Sequence, residues 1–350
     1  MIFKTNVLSY RRKCMKNYLF LGLLLLVNPL FAREFPLCMY GVSDPQDLGM
    51  LKEAGFSCIQ TYKTAPETLS ALAQEAQKQG MKVVFYPNQI LGTSYEKEAQ
   101  NWPMLAWYLT DEPDVHKWSR KRVKKAHEQT KKAFPQHDTT LVIGQGITLV
   151  PFYDLTDVMM VDWYPVPHLK LTSFGDNVRY TKQGMEKRKR KDNALWGVVQ
   201  IFDWKTYKQR RPDNDRIGRF PTEEEIRFMS FHGILNGATG LFYFTFAPSG
   251  KKTATVSPDL WKRVTAVTQQ LHQLLPILEE GTVTDNPIFV ATPLQIQTRL
   301  YEGKKYSFLL NTSDQEQVVP AEFLDDKYQV LTGSKTKTIP PYGVWVLKYS

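Results

Sequence analysis

From Pro36 onward eight short apolar runs alternate with segments of helical period, and nothing else in the sequence limits the fold so tightly. The runs are Leu37 to Val42, Ser57 to Tyr62, Lys82 to Pro87, Leu105 to Asp111, Thr140 to Gly144, Asp157 to Tyr164, Leu195 to Asp203 and Gly240 to Phe246. They read as strands by length and composition. Between them, helical spacing marks Pro45 to Ala54, Pro66 to Gln79, His116 to Phe134, Asn177 to Lys191, Thr222 to Asn236 and Pro258 to Leu278, with weaker signals at Glu96 to Asn101 and Leu149 to Leu155. Several open with Asp, Thr or Pro, and Gly55, Gly80 and Gly237 stop three of them. Alternation of this kind over about 250 residues predicts an α/β fold, a (β/α)8 barrel with eight parallel strands and a helix after each. A doubly wound open sheet is the competing arrangement, but no Gly-x-Gly-x-x-Gly turn follows the first strand.

Past Gly281 the pattern changes to short alternating runs: Ile288 to Ala291, Leu294 to Tyr301, Lys305 to Asn311, Val318 to Pro320, Tyr328 to Leu331 and Gly343 to Tyr349. This predicts a small C-terminal antiparallel β-domain over 282–350, too small for a large core of its own and therefore packed on the barrel of 33–281. It serves either as a brace for the last barrel helix or as a carbohydrate contact.

Residues 1–32 read as a secretory signal peptide. A basic start precedes the apolar stretch from Tyr18 to Val27, and a small residue, Ala32, stands before Arg33. Met15 is an alternative start. The stretch is too short to span a membrane, and no Cys follows it to carry a lipid anchor, so the expected location is secreted or periplasmic, without a membrane anchor. The net charge of +10 falls to +5 once Lys4, Arg11, Arg12, Lys13 and Lys16 are removed, which argues against nucleic acid as a partner. Two cysteines then remain, Cys38 and Cys58, each the second residue of a predicted strand. They are either a disulfide or two buried thiols. The six histidines show no zinc-binding spacing, so neither a metal nor any other cofactor is expected.

The fourth run, Leu105-Ala-Trp-Tyr-Leu-Thr-Asp-Glu-Pro-Asp114, leads straight into two carboxylates and is halted by Pro113. In a barrel of this kind the C-terminal ends of the strands form the face that carries chemistry. Glycosidic cleavage needs a carboxylic acid kept protonated near neutral pH, and a neighbouring carboxylate raises the pKa of one member of a pair. Glu112 is the candidate general acid and Asp111 the partner that stays charged; the bland alternative is a helix-capping role for this turn. The sixth and seventh runs also end in an acid beside aromatics, Asp162-Trp163-Tyr164 and Asp203-Trp204. Aromatic rings stack on the apolar faces of sugars while polar groups bind hydroxyls. Tyr62, Tyr86, Asn88, Gln145, Trp163, Tyr164, Gln200, Trp204, Tyr243 and Phe246 are the candidate wall, and an oligosaccharide or polysaccharide is the expected substrate of a monomeric protein.

On these residues the chain from about Pro36 to Gly281 resembles a secreted glycoside hydrolase barrel of the clan A type. In that clan strand four ends in Asn-Glu, with Glu as acid/base, and a Glu on strand seven is the nucleophile. Here strand four ends in Asp111-Glu112, and strand seven offers Gln200 and Asp203 but no Glu. The Asp-Glu order is instead similar to substrate-assisted β-N-acetylhexosaminidases, in which Glu protonates the leaving oxygen and Asp orients the substrate's 2-acetamido group as internal nucleophile. The resemblance implies a glycosidase whose second carboxylate is Asp111, Asp203 or Asp162. A catalytically silent barrel that binds a glycan is the alternative. A lyase or esterase is disfavoured, since no Gly-x-Ser-x-Gly elbow is present.

Overall fold

The computed structural model describes residues 34–144, 152–190, 193–210, 218–284 and 293–350. The signal-peptide reading, Gln145 and the whole run Ile288 to Ala291 lie outside these residues. Eight parallel strands close into a barrel: β1 Leu37–Met39, β2 Cys58–Gln60, β3 Lys82–Phe85, β4 Met104–Tyr108, β5 Thr139–Ile143, β6 Val158–Asp162, β7 Leu195–Gln200 and β8 Leu241–Phe244. Each pairs with its sequence neighbours, and β8 returns to β1 through Leu37 opposite Leu241.

Helices follow as expected for parallel crossovers: α1 Leu48–Glu53, α2 Pro66–Gln79, α3 Glu96–Ala99, α4 Arg120–Ala133, α5 Ser173–Lys187, α6 Glu223–Leu235, α7 Thr253–Val256 and α8 Pro258–Glu280. Local chemistry sets their ends. Pro66 begins α2, and Gly80, at φ 67°, ends it in the left-handed conformation that costs glycine least. Thr222 and Glu225 form a reciprocal capping box on α6, satisfying two backbone donors. Several elements differ from the sequence reading, among them α5, which runs four residues earlier than the expected Asn177 to Lys191. The fourth helix begins after Ser119, whose hydroxyl accepts from Arg122 N, because Asp111 to Trp118 are spent on a turn. The described part of Leu149 to Leu155 is turn and not helix.

Strand period explains the two cores. Odd-numbered residues such as Leu37, Ile59, Phe85, Trp107, Leu141, Val161, Val199 and Tyr243 face the helices. Even-numbered ones, including Cys38, Cys58, Val84, Ala106, Tyr108, Val142, Met160, Val198 and Phe242, fill the barrel interior. Cys38 and Cys58 stand opposite one another on β1 and β2 and are joined by a disulfide, Cα–Cα 4.4 Å, which resolves the choice left by the sequence.

The C-terminal strands are β9 Thr282–Val283, β10 Leu294–Tyr301, β11 Lys304–Asn311, β12 Gln317–Val318, β13 Tyr328–Thr332, β14 Thr338–Ile339 and β15 Val344–Tyr349. They form a five-stranded antiparallel sheet in the order β13-β15-β11-β10-β9, and β12 pairs with β14. One face, through Tyr306, Phe308, Leu310, Val344 and Val346, joins the barrel's helical core. The other closes a small core around Phe323, Trp345 and Leu347. Arg299 donates to Leu278 O at 2.8 Å, placing a cation against the unpaired carbonyls near the end of α8, where the helix dipole favours it.

Candidate active site

The C-terminal ends of the strands open into a cavity of about 710 Å³. Asp111, Glu112 and Asp162 line it together. β4 ends at Tyr108, so both residues of the acidic pair stand in the turn just beyond it, while Asp162 is the last residue of β6 and points inward by strand parity.

Around Asp111 stand tyrosines from four consecutive strands. Tyr108 donates its hydroxyl to Asp111 Oδ1 at 2.6 Å, and Tyr40 donates to the Tyr108 oxygen at 3.3 Å. Tyr86 meets Tyr108 edge-on at 5.0 Å between centroids and Tyr62 at 6.3 Å, and Tyr62 stacks against Tyr40 at 6.1 Å. Burial, reinforced by the Asp111 charge, raises the pKa of all four phenols, so they act as neutral donors. Across the cavity Tyr164, Phe202, Trp204, Tyr207 and Phe244 form an aromatic cluster with Phe202 at its centre.

Glu112 and Asp162 lie within hydrogen-bonding reach of each other, and Tyr164 reaches Asp162. Burial raises the Glu112 pKa first and the charge of Asp111 second, while the bond to Asp162 opposes the rise. Asp162 is raised well above the usual carboxylate range by burial and then by the charges of Glu112 and Asp111. One of its oxygens is buried without a hydrogen-bond partner. Two acids that repel each other as anions share a proton, and because the bond between them raises Asp162 and lowers Glu112, that proton sits first on Asp162. The pKa of Glu112 is still raised above the ordinary glutamate range, by burial and then by the Asp111 charge, and its half-buried carboxyl faces the cavity.

The structure does not bring every expected residue to this cavity. Tyr62, Tyr164 and Trp204 line it, and Tyr86 lies just behind Tyr62 and Tyr108. Asp203 is not in the wall: its Oδ1 accepts from Lys205 N at 2.8 Å, capping the turn that follows β7. Trp163 faces outward and donates to Ser173 Oγ at 2.9 Å, and Tyr243 points to α6, where it meets Ser230 Oγ at 2.9 Å. Phe246 packs on Trp261, and Asn88 is exposed in a short helical turn. Gln200 does point inward, but it is fully buried and spent on backbone, accepting from Val166 N at 2.9 Å and donating to Val166 O and Phe202 O. The aromatic residues of the wall absent from the sequence reading are Tyr40, Phe202, Tyr207 and Phe244. Parity was the available signal for three of them, since each lies an even number of positions from an inward-facing neighbour on its own strand.

Among the described residues no group of three or more His, Cys, Asp or Glu is arranged to hold a metal ion, and no helix is long and apolar enough to cross a membrane. No protein-family model matches the sequence, and no curated protein resembles it. Solved structures do share its architecture. A glycoside hydrolase family 5 protein from Bacteroides vulgatus superposes with a TM-score of 0.59 at 11% identity, over 90% of this chain and 89% of that one. Eubacterium rectale Amy13B gives 0.58 at 11%, covering 91% and 96%. An α-amylase from Geobacillus thermoleovorans, solved with acarbose, gives 0.54 at 12%, covering 91% and 99%. At such identities the likeness is one of fold: an eight-stranded barrel of the kind found in glycoside hydrolases, followed by a C-terminal β-sheet region.

Proposed function

We propose that this protein is a glycosidase in which Glu112 protonates the departing glycosidic oxygen. The observation that carries the reading is a half-buried Glu112 of raised pKa beside Asp111, in a cavity walled by tyrosines on one side and by Trp204, Phe202, Tyr207 and Phe244 on the other. Hydroxyl-rich and aromatic walls suit a ligand with polar edges and apolar faces, and bond cleavage at a sugar needs an acid of raised pKa.

The three carboxylates all come from the β4 and β6 ends. The opposite arc, supplied by the β8, β1 and β2 ends, contributes Tyr40, Ser43, Thr61, Tyr62, Lys63, Phe244 and Thr245, with no acid among the described residues. A direct displacement needs a carboxylate about 5 Å away across the sugar, and inversion needs one roughly 6.5–9.5 Å away with water between. Asp162 is in hydrogen-bond contact with Glu112 and suits proton sharing better than attack from the far face. Asp111, held by Tyr108, is then the second acid, and a substrate with its own nucleophile, a 2-acetamido sugar, fits the arrangement best. The buried disulfide supports the reading of residues 1–32 as an export signal, because such bonds persist in oxidising compartments.

Turnover of aryl glycosides and oligosaccharides by the purified protein tests the proposal. Glu112→Gln keeps the shape and loses the proton, so an unactivated glycoside should be cleaved about two to four orders of magnitude more slowly with binding retained. Near-wild-type turnover by this variant removes Glu112 from the role. Retained glycan binding with no turnover in the wild type points instead to a glycan-binding barrel.

A further inference from the structure

We infer that Gly144 and Asp114 are positioning residues that set where the Glu112 carboxyl stands. The inference rests on the proposed acid role of Glu112, but its geometry is independent of any substrate. Glu112 has φ 39°, a left-handed conformation that a glutamate adopts only where its surroundings hold it. The turn is fastened from within, with His116 N donating to Glu112 O at 2.9 Å and Trp118 N to Pro113 O at 2.8 Å. It is also fastened to the next strand, because Asp114 Oδ1 accepts from Gly144 N at 3.2 Å, just past the end of β5.

Gly144 contributes more than that N–H. A β-carbon on it would stand 2.5 Å from Glu112 Oε1 and 3.0 Å from Cδ, so the carboxyl occupies the space that a side chain would fill. The backbone at Gly144 is outside the left-handed region, so the chain conformation there does not itself call for glycine. The empty site is matched to Glu112. An added methyl would meet the free end of a side chain and an edge of Val115, both able to move, so the fold should accept it while the carboxyl is displaced.

The experiment compares Gly144→Ala, Asp114→Ala and Asp114→Asn with the wild type in two readouts. The first is the titration of Glu112, followed by NMR in protein labelled with 13C at the glutamate carboxyls and assigned with Glu112→Gln. Displacement away from Asp111 and out of its buried site should move that titration down towards the ordinary glutamate range in both alanine variants. Asp114→Asn keeps an acceptor for Gly144 N but loses the Asp114 charge, a lesser contributor to the raised Glu112 pKa, so it should recover part of the difference, and Gly144→Ala, which changes no charge, reads the displacement alone. The second is turnover of phenyl and 2,4-dinitrophenyl 2-acetamido-2-deoxyglucosides. A misplacement near 1 Å costs up to about a hundredfold, so a loss of about ten- to a hundredfold in kcat is expected on the phenyl glycoside with KM little changed. The dinitrophenyl glycoside, whose leaving group needs no proton, should be largely spared. Should Gly144→Ala fail to fold, the gap between Asp114→Ala and Asp114→Asn, which lose the same charge, carries both readouts. An unmoved Glu112 titration in folded variants, or equal losses on the two glycosides, overturns the inference. Shifted titrations in a protein that cleaves neither glycoside would uphold the positioning and reject the enzymatic reading.

Discussion

Asp162→Asn should stabilise the protein at neutral pH, and the size of the gain should follow pH in a defined direction. Asp162 is only 7% exposed, one of its carboxyl oxygens lacks a partner, and the charges of Glu112 and Asp111 act on it. Its pKa in the folded protein is raised well above that of an unfolded aspartate, about 3.9. A raised acid binds its proton more tightly when folded, so its contribution to stability is complete below the unfolded pKa. That contribution is lost as pH climbs through the folded one. Above both values, each unit of upward shift costs about 1.4 kcal/mol, which at this chain length is roughly 2–3 °C in Tm. Asparagine cannot ionise and avoids that cost while keeping the shape. Thermal melts of wild type and variant, followed by circular dichroism from pH 3.5 to 8, should show a higher Tm for Asp162→Asn at pH 7. The gap should narrow towards pH 4 and vanish below it. Catalysis should suffer at the same time, a trade between stability and activity common at buried charged sites. A variant that is less stable at pH 7, or a gap that does not change with pH, would refute the account of a buried and frustrated carboxyl cluster.

The barrel was legible because its signal is repeated. Eight apolar runs, each followed by a helix-compatible segment, leave few ways of burying both faces of every strand, and the closed order β1 to β8 is the expected one. Within the site, legibility followed strand parity. Asp162 and Tyr164 lie two apart on one face and reach the cavity together, while Trp163 between them turns to α5. The same rule sends Tyr243 to the helices and Phe244 inward, and keeps Asp203 out of a wall that Phe202 and Trp204 share. An acid and the aromatic residue next to it therefore point to opposite faces and do not enter the cavity as a unit. The disulfide could not be read because it depends on register: only the pairing of Cys38 with Cys58 across β1 and β2 decides between a bond and two thiols. Gly144 could not be found either, since its meaning lies in the carboxyl that occupies the space beside it.

Replacing both Cys38 and Cys58 with alanine should cost about 3 kcal/mol from the loss of one loop constraint across 20 residues, with further loss from the emptied interior, and should lower Tm by at least roughly 5 °C. An unchanged melting temperature, or two free thiols by mass spectrometry of the alkylated wild type, would show that the bond is not holding β1 to β2. The final expectation concerns the second carboxylate, compared through Asp111→Asn and Asp203→Asn. Asp111 lies at the cavity, accepts the Tyr108 hydroxyl at 2.6 Å and raises the pKa of Glu112 through its charge. Its amide variant should therefore lose turnover severely, and whatever activity remains should have its alkaline limb at lower pH, because Glu112 gives up its proton more readily without a neighbouring anion. Asp203 caps a turn outside the wall, so its variant should keep most of the rate with an unshifted pH profile and lose only a little stability. Steady-state pH–rate profiles of the two variants against wild type make the comparison, and a reversed order would mean that the loop after β7 swings Asp203 into the cavity when substrate binds.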